Sequence, residues 1–129
     1  MIRKACIIFY LFGSAISAQD TLTYSKMNNE QFRAWDEVES NWKKEHFQPF
    51  LKKEKIKLDC GKCTSVYVSV IFRRDSVKTS YELMKTWKCD DEMKGRQLYE
   101  MKKILGEIKL PELFDNYYLK VMLGSRLKC

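Results

Sequence analysis

Val66, Val68, Val70 and Phe72 alternate with Tyr67, Ser69, Ile71 and Arg73. Alternation of this kind predicts a β-strand with one strongly apolar face. Arg74-Asp75-Ser76 supplies a short turn, and period two resumes from Val77 to Trp87, with Val77, Thr79, Tyr81, Leu83 and Trp87 on one side. Two such runs across a short turn read as a β-hairpin.

The flanking segments carry the helical period. From Asn28, the residues Phe32, Trp35, Val38 and Trp42 recur at three and four positions and share one face. Asn28 is placed to cap the first turn, with Gln31 three residues on as in a capping box. Glu30 suits the positive end of the helix dipole. Pro49 disfavours helix at Gln48, so the helix is expected to end by there, with a short second turn through Phe50, Leu51 and Lys52. Residues 19–26 are polar and expected to be loose, and the basic run 52–57 reads as a solvated connection. After Cys89, Asp90 or Asp91 is expected to cap a second helix with the stripe Met93, Gln97, Leu98, Met101, Leu105 and Ile108, and Gly106 marks its end. Tyr117, Leu119, Val121 and Leu123 alternate with Tyr118, Lys120 and Met122, giving a third strand.

The order is therefore α-β-β-α-β. With 129 residues and no internal repeat, the chain makes one α+β domain, disulfide-stapled, with two helices packed on a three-stranded mixed sheet. A right-handed crossover lands strand three beside strand one and antiparallel to it, so the expected strand order is 2-1-3.

The N-terminus carries an address. Met1-Ile2-Arg3-Lys4 is basic, Ala5 to Ile16 is apolar, and Ser17-Ala18 is small. That sequence of regions is a signal peptide, too short to remain as a membrane span. We place residues 1–18 as the leader, cleavage after Ala18, and residues 19–129 as the exported domain. Losing Arg3 and Lys4 leaves 22 basic and 17 acidic side chains, a net charge of +5. The protein is then expected to be secreted or periplasmic, with no stable insertion in a membrane after cleavage.

Removal of Cys6 leaves Cys60, Cys63, Cys89 and Cys129. An exported protein matures where thiols pair, and four cysteines allow three connectivities. In the 2-1-3 sheet, strand one begins near Cys63, strand two ends at Cys89 and strand three ends near Cys129. All four sulfurs then meet at one end of the sheet. Two bridges are expected, linking the Cys60/Cys63 pair to Cys89 and Cys129. With a turn centred on Asp75, position 61 falls opposite Cys89.

The layout resembles the C-terminal domain of TonB, the periplasmic partner of outer-membrane receptors. The residues concerned are Val66-Tyr67-Val68-Ser69-Val70-Ile71-Phe72, then Arg74-Asp75-Ser76-Val77, the helix with Met101, Ile104 and Leu105, and Tyr118-Leu119-Lys120-Val121-Met122. The likeness spans about residues 60–124 and implies a shared fold and a protein-binding sheet edge. Ser76 stands where that family's turn glycine is usual. The cysteines, and the lack of a retained anchor or Pro-rich spacer, depart from an energy-transducing member.

No side-chain constellation names a reaction. Cys60-Gly61-Lys62-Cys63 matches the redox pattern C-x-x-C, but it precedes a strand rather than a helix, and two further cysteines are there to pair with it. Zinc normally takes a second close ligand pair, and Cys89 and Cys129 stand alone. His46 is the single histidine, at a helix end, and Asp90-Asp91-Glu92 is accounted for by capping. Lys43, Lys44, Lys52, Lys53, Lys55 and Lys57 form a basic cluster, diluted by Glu45 and Glu54, which suits anionic envelope surfaces better than nucleic acid. We expect no catalytic site, no cofactor and no metal. The expected role is that of a binding or accessory module that meets a protein partner at an open sheet edge. A thiol–disulfide oxidoreductase built on Cys60 and Cys63, or a secreted cationic effector, are the alternatives.

Overall fold

The computed structural model describes residues 20–129. The expected leader, its cleavage point and Cys6 lie outside the described residues. Four strands form one mixed sheet: β1 (Asp20–Leu22), β2 (Ser65–Asp75), β3 (Lys78–Lys88) and β4 (Tyr117–Arg126), in the order β1-β4-β2-β3. The hairpin's first strand lies between β3 and β4, antiparallel to both, while β1 runs parallel to β4. The three-stranded expectation is thus corrected to four. A three-residue strand is too short to show alternation, and only Leu22 of β1 points a large apolar group into the core.

The hairpin turn is tighter than expected. Asp75 pairs with Lys78, leaving Ser76 and Val77 as a two-residue loop, and Ser76 adopts a φ of 60°. Positive φ at the first loop position matches the right-handed twist of the strands. Farther along, Ser69 pairs with Lys85 but Val70 pairs with Leu83, so Met84 is an extra residue in β3. This bulge changes the phase. Thr86 is buried beside the core, and Trp87 moves to the opposite face from Leu83, where it stacks on Tyr67 at 6.4 Å. The later turn centre, at Ser76-Val77, and the bulge together put Ser65, not position 61, across from Cys89, whose N–H donates to the Ser65 carbonyl.

Helix α1 (Asn29–Trp42) starts with the expected capping box: the Asn28 side chain accepts from the Gln31 N–H, and the Gln31 side chain accepts from the Asn28 N–H. That box turns Gln31 inward and buries it, whereas Phe32 is half-exposed. Trp35 and Trp42 keep their expected inward placement. Pro49 does not end the helix. Residues Lys43–Phe47 form a π-turn in which the Gln48 N–H reaches back to the Lys43 carbonyl, and α2 (Gln48–Lys53) follows directly. The wider turn makes room for a proline ring that would collide with the carbonyl four residues back in a regular helix. The chain reverses at Lys55, φ 57°, with the Ile56 N–H on the Leu51 carbonyl.

Helix α3 (Gly95–Leu105) begins later than the acidic cap predicts. Cys89 and Asp90 both take positive φ and close a Lys88–Asp91 turn, so neither Asp90 nor Asp91 caps the helix. The core lies between one sheet face and these helices. Val66, Val68, Val70, Phe72, Leu119, Val121 and Leu123 meet Trp35, Phe47, Phe50, Met101, Leu105 and Phe114. The indole of Trp42 donates to the Ile104 carbonyl at 2.7 Å, joining α1 to α3.

Candidate functional site

The four expected cysteines meet at one end of the sheet. Cys60 bonds Cys129 and Cys63 bonds Cys89, with Cα separations of 5.8 and 4.4 Å. Each cysteine of the C-x-x-C turn is therefore joined to a distant cysteine, not to its neighbour. Two disulfides indicate maturation in an oxidising compartment. His46 lies half-buried within the π-turn, and Asp90, Asp91 and Glu92 are exposed. Among the described residues no group of three or more His, Cys, Asp or Glu side chains could hold a metal ion. No described helix is long and apolar enough to cross a membrane.

The feature with binding geometry is the outer edge of β3. Among the described residues this strand ends the sheet, with β2 as its one sheet partner. The Asp75–Lys78 pair closes the turn, so Lys78, Ser80 and Glu82 face β2. Thr79, Tyr81 and Leu83 then turn their N–H and C=O groups outward. Alongside that edge runs a hollow of about 510 Å³, walled by α3. Tyr81, Leu83 and Met84 line its strand side, and Met93, Leu98 and Lys102 line the other.

Each wall has a local cause. The bulge leaves Met84 about half exposed. The Thr86 hydroxyl accepts from the Met93 N–H at 2.9 Å, which pins the segment leading into α3. The Tyr81 hydroxyl donates to the Lys102 carbonyl at 2.8 Å, setting the distance between strand and helix. Burial holds the Tyr81 phenol above its ordinary pKa, so it stays a donor through the physiological range. Lys85, Glu92 and Lys102 also line the hollow. The sequence marks β3 as a strand, but Met84, Met93 and Leu98 come together only through the bulge and the delayed helix start.

The opposite edge is partly closed. β1 pairs with Tyr117, Tyr118 and Leu119, and the Tyr24 hydroxyl donates to the Met122 carbonyl farther along. That leaves β3 as the longer unpaired edge.

No family model, curated protein or solved structure matches the chain, and nothing in these comparisons identifies a TonB-type domain in it.

Proposed function

We propose that the protein is an exported, non-catalytic binding module that captures an extended segment of a partner protein along β3. The observation that carries this reading is the unpaired edge of an 11-residue strand lying beside a trough whose apolar walls, Leu83, Met84, Met93 and Leu98, are rimmed by Lys85, Glu92 and Lys102. Strand addition draws affinity from main-chain hydrogen bonds and selectivity from side chains that drop into an adjoining hollow. Two methionines, Met84 and Met93, give that hollow walls that adapt to different side chains. The bulge at Met84 and the adjoining Lys85 confine pairing to Lys78–Leu83 and guard against indiscriminate edge association.

The expected site of action is the periplasm or the extracellular space. The basic leader-like N-terminus supports export, and the oxidising environment implied by the disulfides agrees with it. A redox role for Cys60 and Cys63 has less support, because both sulfurs are engaged outside the C-x-x-C pair.

The test is selection from a random library of displayed peptides under oxidising conditions. The best peptide is then resynthesised with N-methyl groups on alternate residues, in each of the two phases. One phase should abolish binding and the other spare it, and Met84→Lys should weaken binding at least about tenfold, the usual scale for losing one central apolar contact. Enrichment of no peptide, or equal binding of both methylated forms, would rule out strand addition.

A further inference from the structure

We propose a second binding site, independent of the β3 edge: a lysine-rimmed groove beside α1 and α2 that takes the headgroup region of an anionic phospholipid. The groove has a volume of about 700 Å³. Its rim carries Lys44, Lys52 and Lys57, and its floor is apolar, with Leu51, Ile56 and Leu58. No Asp or Glu lines it. All three lysines are exposed, and none is in an ion pair among the described residues, whereas neighbouring Lys53 and Arg96 pair with Glu100 and Glu54.

Two backbone irregularities build the groove. The π-turn lets the helix continue past Pro49, which brings Lys44 and Gln48 into line with Lys52. The reversal at Lys55 then folds Ile56, Lys57 and Leu58 back against Leu51. Three like charges around one hollow repel one another, and a bound anion relieves that repulsion.

The floor decides what kind of anion. A peptide brings a polar N–H and C=O at every residue, and these need partners when covered. Among the described residues Gln48 is the only uncharged polar side chain lining the groove, and no strand edge borders it. A lipid needs no such partners, since its phosphate meets the lysines and its glycerol and first acyl carbons cover Ile56 and Leu58. Contact is peripheral, at the depth of the headgroups.

The test is sedimentation of the full exported domain with phosphatidylcholine vesicles, with and without phosphatidylglycerol, at physiological salt. Binding is expected on the anionic vesicles alone. The triple variant K44Q/K52Q/K57Q should bind roughly a hundredfold more weakly, since each lysine at an anionic surface contributes about 1 kcal/mol. The control triple K78Q/K109Q/K120Q removes the same charge from exposed positions outside the groove and should lose far less. Leu58→Ser should weaken binding with the charge unchanged. Equal losses for the two triples would reduce the effect to net charge and overturn the site, as would equal binding to neutral vesicles or none to either. Full displacement by inorganic phosphate, or retention on polyglutamate without vesicle binding, would assign the groove to a free anion or an acidic polypeptide instead.

Discussion

Gly124 shows how one residue constrains the sheet. It lies opposite Tyr67 in the β2–β4 register with a φ of 145°. A Cβ there would sit 2.1 Å from the Val66 carbonyl oxygen and 2.6 Å from the Tyr67 Cα. Both obstacles are backbone, so relief requires the strands to separate. Gly124→Ala should therefore destabilise the fold by about 3 kcal/mol or more, combining overpacking with a strained φ. Chemical denaturation measures this directly, and a loss below about 1 kcal/mol, the usual scale of an ordinary surface change, would mean the strands are not this close. Nothing in the alternation of Tyr117 to Leu123 foretells this contact. The sequence does reveal that strand and its phase, but a close backbone approach depends on the partner strand's position.

Between elements, the contacts are a mixture of core packing and a small charged seam. Lys53 pairs with Glu100 at 2.6 Å and Arg96 with Glu54 at 3.0 Å, tying the end of α2 to α3. The hydrogen bond from Lys53 holds the Glu100 carboxyl below the ordinary carboxylate range. A carboxyl depressed in the folded state stabilises it above the ordinary pKa and loses that contribution as pH falls through the depressed value. Burial acts the other way on Glu39 in α1, pushing its pKa up. Its contribution is present at acid pH and is lost as pH rises through the raised value. Melting temperatures followed from acid to neutral pH should show Glu100→Gln flattening the acid fall of stability. Glu39→Gln should raise stability at neutral pH relative to acid. Parallel pH profiles for both variants and the parent would contradict the assignment. The hairpin, the capping box and both tryptophans of α1 are legible in the sequence because each depends on near neighbours. The passage of the helix through Pro49 and the late start of α3 are not. A π-turn and a left-handed Cys89-Asp90 pair are backbone solutions that residue periodicity does not record.

Across the whole molecule, the two disulfides hold the sheet's open end. Cys60 and Cys129 are exposed, whereas Cys63 is buried. Mild reduction with alkylation should label Cys60 and Cys129 first, leaving Cys63–Cys89 intact. Cys60→Ser with Cys129→Ser should cost about 4 kcal/mol, on the loop-closure scale for a bond spanning 69 residues. Simultaneous labelling of all four thiols would show that the two bonds share one environment. The meeting of these cysteines follows from strand order, which residue alternation and the handedness of the crossover already specify. The β3 trough has no such signature, since its walls come from a bulge, a hydroxyl contact and a helix end. Amide hydrogen exchange with and without a selected peptide tests that trough most directly. Bound peptide should slow exchange at the outward-facing amides of Thr79, Tyr81 and Leu83, with little change at Ser80 and Glu82, whose amides already face β2. Protection confined to β4 or the helices, or none on β3, would show that the partner does not add to this edge.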